Sequence, residues 1–212
     1  MTVAVVTHTH EHWQRDMTRC VNSVAAALPD GCEHIVIGVD TDYDGFIEAR
    51  YAALQLADII IFVDDDYVSP ESITLCLAAL AATDASLAYT SEMLVFNDGN
   101  RLASAVCTHY EAIPRSPSAI HHMAAIRSSA VTERSIILAR EYGCGIEWIM
   151  KVEAALTQGA IHIPHMGYYY VQHPRQVSHA VGKRFAGAIK PIGEEIQSWG
   201  GRALIPVFDG GL

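Results

Sequence analysis

Ile59-Ile60-Ile61-Phe62-Val63-Asp64-Asp65-Asp66-Tyr67-Val68-Ser69-Pro70 runs from five apolar residues straight into three consecutive carboxylates. An apolar run of this length, stopped by a polar cluster, reads as a core strand. Like charges at adjacent positions raise one another's pKa, so the triplet is costly unless something positive neutralises it. A divalent cation does this well. Asp64 and Asp66 stand two apart, which in an extended strand end puts their side chains on one face and Asp65 on the other. Hard oxygen donors of this kind suit Mg2+ or Mn2+, which take further oxygens from a substrate phosphate. A solvated acidic loop that also caps the next helix is the alternative.

Outward from this stretch the chain alternates short β-branched runs with longer amphipathic ones, the pattern of a parallel sheet with crossover helices. Val3 to Val6 reads as the first strand, Arg15 to Leu28 as a helix, Ile35 to Val39 as the second strand, Gly45 to Leu56 as a second helix and Ile59 to Val63 as the third strand. Ser69-Pro70-Glu71 predicts a capped helix running to about Ala82. Leu87 to Phe96 and Arg101 to Cys107 flank Asn97-Asp98-Gly99-Asn100, a hairpin signal. Helices follow over Thr132 to Tyr142 and Glu147 to Thr157, and strands over Ile161 to Ile163 and Gly167 to Val171. The expected organisation is one α/β domain over residues 1–181, with a tail of little periodicity over 182–212 packed on or beside it.

At 212 residues and half apolar, the chain is long enough to bury a sizeable core. A net charge of −10 opposes non-specific binding to nucleic acid or anionic membrane. The five cysteines are scattered and never paired as C-x-x-C, so reduced thiols and a cytoplasmic location are expected. No apolar run approaches the roughly 18 to 20 residues that cross a bilayer.

In an open α/β sheet, ligands bind beyond the carboxyl ends of the parallel strands. Three early strands end in polar clusters there: Thr7-His8-Thr9-His10, Asp40-Thr41-Asp42 and the Asp64 to Asp66 triplet. His8, His10 and His12 also alternate in a way seen at zinc sites, without a clear partner constellation.

Phe62 to Pro70 resembles the D-x-D segment of nucleotide-sugar-dependent glycosyltransferases of the GT-A fold, particularly glycosyltransferase family 2. Further segments match in order: Val5 to His10, Asp40 after Ile35-Val36-Ile37, Glu48-Ala49-Arg50-Tyr51, Met123 to Ala130, Gly145 to Val152, and Tyr168 to Ser178. Thr7-His8 stands where the family has Pro-Thr, Tyr51 where Asn is common, and Glu147 alone where two acids are usual.

The resemblance implies a Rossmann-like GT-A domain, with a mainly parallel sheet flanked by helices and a small antiparallel hairpin. It implies a metal-dependent, inverting sugar transfer from a UDP- or GDP-sugar to an acceptor hydroxyl that the sequence does not identify. Asp64, Asp66 and His173 would hold the metal, with Asp65 on the ribose or replacing one of the pair. Thr7, His8, Asp40, Arg50 and Arg127 would line the donor. Glu147 would be the general base, its pKa raised by partial burial near Trp148. Two other readings remain. A haloacid-dehalogenase-like phosphatase would use Asp64 as nucleophile and Asp66 as acid or base, and a non-catalytic nucleotide-sugar-binding domain would keep the fold alone.

Overall fold

The computed structural model describes residues 1–9, 17–39, 43–64, 66–96, 98–104, 114, 116–172 and 177–200. Asp40, Asp65 and His173 of the expected site, with His10 and His12, lie outside them.

The opening apolar run is the centre of the sheet. Strands β1 (Val3–Thr9), β2 (Glu33–Gly38) and β3 (Ile59–Phe62) pair in parallel in the order β2-β1-β3. Helices α1 (Thr18–Ala27) and α2 (Tyr43–Ala52) connect them, which is the expected β-α-β-α-β. Side chains of β3 alternate between two cores. Ile60 and Phe62 join one; Ile59, Ile61 and Val63 join the other. The two-residue strand period therefore puts an apolar side chain into each core at every step, which accounts for the unbroken run.

The second half makes the sheet mixed rather than mainly parallel. Strand β7 (Ala124–Arg127) runs antiparallel to β3 and to β5 (Leu87–Val95), while β8 (Ala160–Val171) lies parallel to β5. The short β4 (Tyr67–Val68) pairs antiparallel with β8. The expected hairpin is present, with β6 (Arg101–Ala103) folded back on β5.

Ile161 to Ile163 and Gly167 to Val171, expected as two strands, form the single strand β8. Its register against β5 slips on either side of Ser91. These bulges absorb Pro164, which has no N–H for a ladder, and Gly167, where a Cβ would fall 2.3 Å from the Thr90 hydroxyl oxygen.

Helix α3 (Ser72–Ala81) begins later than expected, and Ser69 does not cap it. The Ser69 hydroxyl bonds His165 Nε2 at 2.7 Å instead. Helices α4 (Glu133–Tyr142) and α5 (Ile146–Gln158) follow the predicted spans closely. Thr132 caps α4, and Glu153 of α5 receives the Thr132 N–H at 3.0 Å, the Thr132 hydroxyl at 2.5 Å and the Ser135 hydroxyl at 2.6 Å. Glu153 is 6% exposed and the Ser135 hydroxyl is buried, so removing the carboxylate leaves that donor with little access to water. Glu153→Ala is expected to destabilise the protein by about 3 kcal/mol, read as a lower urea midpoint with an unchanged slope.

The stretch expected as a tail from 182 is helical as far as Ser198. Helix α6 (Val177–Ser198) runs through the 181/182 boundary. Phe185, Ala188, Ile189, Ile192 and Ile196 recur at helical spacing and join the core shared with α4 and α5. Among the described residues no helix is long and apolar enough to cross a membrane. Cys20, Cys32, Cys76 and Cys144 are free thiols.

Candidate active site

The carboxyl ends of β1 and β3 lie side by side, with Val6 opposite Phe62 and the Val63 N–H bonded to the Val6 carbonyl at 3.1 Å. Asp64 therefore leaves the sheet next to His8. Its backbone carbonyl accepts from the Cys20 thiol of α1 at 2.8 Å, which fixes the bend after β3. Its carboxylate meets Arg50, whose Nη2 donates to Asp64 Oδ1.

Arg50 sits in the last turn of α2 and is fully buried. The Phe46 and Phe62 rings lie 4.7 and 4.4 Å from its guanidinium carbon, an apolar slot that suits a delocalised cation. The same Nη2 lies 3.5 Å from Glu147 Oε2. One guanidinium thus joins the end of β3 to the first turn of α5. The charge question raised by the triplet has its first answer in the protein's own arginine.

Glu147 is surrounded by basic groups. Lys151, one turn along α5, places Nζ 3.3 Å from Oε1, and His122 places Nε2 3.7 Å from the same oxygen. Burial alone would raise the Glu147 pKa, but Lys151, His122 and Arg50 pull it well below the ordinary carboxylate range. The expectation of a raised pKa is therefore wrong in sign. The Trp148 ring packs edge-on against Phe185 of α6.

His122 precedes β7, and its Nδ1 is 2.7 Å from Glu92 Oε2. Glu92 lies just beyond the slip between β5 and β8 and is 7% exposed. Burial opposes its ionisation, yet hydrogen bonds from His122 and Ser104 bring its pKa down to about 2. The His122 pKa is raised, because Glu147 and Glu92 outweigh burial and Lys151. Lys151 also donates to the Ile120 carbonyl at 3.1 Å, which ties the loop before β7 to α5.

The other expected site residues divide. His8, beside Arg50, is packed against Phe46 and Phe62 with ring centroids 5.8 and 5.9 Å away, and burial and Arg50 lower its pKa to about 3. It is a neutral wall of the site. Thr7 points to the opposite face of β1, bonded to His34 Nε2 at 3.0 Å and fully buried. Direct donor contact by Thr7 is corrected: a strand alternates its faces, and Thr7 is on the α1 side. Arg127 is also corrected. It pairs with Ile59 at the start of β3, and its guanidinium bonds the Ala85 and Leu80 carbonyls at 2.9 and 2.7 Å. Because β7 is antiparallel to β3, Arg127 lies at the opposite end of the sheet from Asp64. Arg50 has no exposed surface, so it stands behind Asp64 and Glu147 rather than against a donor.

Asp66 is 1% exposed and holds β8. It accepts from the Tyr168 hydroxyl at 2.8 Å and from the Val171 N–H at 2.7 Å. Its carboxylate oxygens and those of Asp64 have the chemistry that a hard divalent cation takes. Among the described residues, however, no three His, Cys, Asp or Glu side chains gather as a metal centre.

Sequence reasoning missed Glu92, His122 and Lys151. The i, i+4 spacing of Glu147 and Lys151 was a usable signal, as was an acid inside the apolar β5 run. His122 had none, since its position depends on the loop before β7.

No protein-family model and no curated protein matches the chain. Among solved structures, it is similar to S. aureus TarS 1-349 at 14% identity, with a TM-score of 0.59 over 91% of this chain and 64% of that one. The UDP-GlcNAc complex of the same protein gives a TM-score of 0.60 at 15% identity, over 91% and 65% of the two chains. Its UDP complex gives 0.56 at 13% identity, over 91% and 64%. The chain thus spans 64 to 65% of the length of those structures. The shared feature is the fold. It is α/β of the GT-A, Rossmann-like kind.

Proposed function

We propose that the chain is a glycosyltransferase that moves a sugar, with inversion, from a UDP- or GDP-sugar to an acceptor hydroxyl, with Glu147 as general base. The observation that carries this reading is the convergence of Asp64, Arg50 and Glu147 at the ligand edge of the sheet. The bound UDP-GlcNAc in a structure of the same fold supports the choice of donor class.

In this mechanism Glu147, held ionised by Arg50 and Lys151, takes the proton of an acceptor hydroxyl as that oxygen attacks the anomeric carbon. His8 and the aromatic rings beside it keep water from Arg50, which strengthens the charge contacts there. Mn2+ or Mg2+ belongs to the proposal: held by carboxylates of the Asp64 to Asp66 triplet, with His173 as a further donor, it would neutralise the donor diphosphate. Asp40 and Asp65 are proposed for the nucleobase and ribose. The acceptor is left open, and the free cysteines agree with work in the cytoplasm.

The test is a panel of nucleotide sugars with and without Mn2+ or Mg2+. A UDP- or GDP-sugar at about a hundredfold over its Kd is expected to raise Tm by several degrees when the metal is present. Slow metal-dependent nucleotide release should accompany it. Phosphate trapped on Asp64, or no response to any nucleotide sugar, would overturn the proposal.

A further inference from the structure

His122 is held between two carboxylates. Its Nδ1 and its own backbone N–H both meet Glu92 Oε2, at 2.7 and 3.2 Å, and the Ser104 hydroxyl bonds the other Glu92 oxygen at 2.9 Å. The ring stacks on Tyr170 at 5.1 Å with an interplanar angle of 5°, and lies against Tyr168 at 5.5 Å. These contacts fix its orientation. A carboxylate only accepts, so Nδ1 carries a proton toward Glu92, and in the neutral ring the lone pair is on Nε2. That atom faces Glu147 Oε1 at 3.7 Å, a separation that a small shift closes to a hydrogen bond in a substrate complex.

We propose that Glu147 passes the proton it takes from the acceptor to His122 Nε2, so that the Glu92–His122 pair is the proton store of the site. This rests on the transferase reading above. As the acceptor oxygen bonds to the anomeric carbon, the bond from that carbon to the diphosphate oxygen breaks and its electron pair leaves with the diphosphate. The acceptor O–H proton goes to Glu147 Oε1 and on to Nε2. The ring becomes an imidazolium between Glu92 and Glu147, and its proton leaves to water after products depart.

The relay answers a difficulty of the site. A carboxylate beside Arg50 and Lys151 is a weak base and holds a hydroxyl proton poorly. An imidazole backed by Glu92 holds it well. The charged and titratable groups facing the ring are Glu92 from β5, Glu147 and Lys151 from α5, and Tyr168 and Tyr170 from β8. The carboxylates favour its protonated form and Lys151 opposes it. His122 acts through Glu147 and is a positioning and relay residue rather than one that touches substrate.

The experiment is the pH dependence of nucleotide release from a UDP- or GDP-sugar by the full chain, with an NMR titration of the His122 imidazole. Wild-type activity should fall on the acid side by about tenfold per pH unit, with a midpoint above the ordinary histidine value of 6.5 that matches the NMR midpoint. His122→Gln should lose this limb and about 10- to 100-fold in kcat. Glu92→Gln should move both midpoints to lower pH. A limb that stays in place in His122→Gln, or in Glu92→Gln if the first variant does not fold, overturns the relay and leaves the transferase reading standing. A wild-type chain that releases nucleotide from no donor overturns both.

Discussion

Replacing Arg50 by methionine is expected to lower stability by about 3 to 5 kcal/mol and to abolish donor turnover. Methionine fills much of the slot between Phe46 and Phe62, so the loss reports charge more than volume. What remains is Asp64, without the guanidinium that holds it, and Glu147, with one of its three basic neighbours gone. Breaking a buried pair from one side leaves the other charge uncompensated, which is why the effect is large.

The same substitution carries a pH signature. The native pKa of Glu147 is depressed from 4.5, so its contribution to stability is fully present above that value and is lost as pH falls below it. The gap between wild type and Arg50→Met should therefore be widest above about pH 5 and narrow toward pH 3 to 4. Urea unfolding at several pH values measures it. A gap under about 1 kcal/mol at pH 7 would show that Arg50 does not hold the site together. Arg50→Lys should recover part of the stability but not the bridge, because an ammonium lacks the planar fork.

Glu147→Gln is expected to reduce kcat by about 10²- to 10⁴-fold while leaving the donor-induced rise in Tm in place. Glutamine has nearly the same shape and keeps an acceptor for Lys151, so the fold should survive. What it loses is the ability to take a proton. A variant that binds donor and turns over at the wild-type rate would favour the non-catalytic binding domain or another base. Loss of donor binding along with turnover would point to a collapsed charge network rather than to missing base chemistry.

Much of the first half was legible in the sequence because β3 and β1 send apolar side chains to both faces, and such runs announce themselves. Asp64, Arg50 and Glu147 were singled out by local motifs, and the structure brings them together. Local motifs failed where direction mattered. Arg127 lies in the matched segment Met123 to Ala130, but β7 runs against β3, and this carries the guanidinium to the far end of the sheet. Thr7 and His8 are neighbours in sequence and enter opposite cores. Glu92 reaches His122 next to bulges that no residue pattern in β5 reveals. Helix α6 went unread because Gly182, Gly187, Pro191 and Gly193 hid the spacing of Phe185, Ala188, Ile192 and Ile196. Its packing against α4 and α5 outweighs that low propensity.

The Asp66 clamp also orders events in time. Asp64 finds Arg50 across 14 residues, a partner the chain supplies early and close by. Asp66 finds Tyr168 and Val171 across 102 and 105 residues. Contacts of that sequence separation are expected to form after the local ones, with the docking of β8. Of the described carboxylates in the acidic triplet, one is thus expected to be paired with the local β-α-β units and the other to gain its hydrogen bonds only with the last strand.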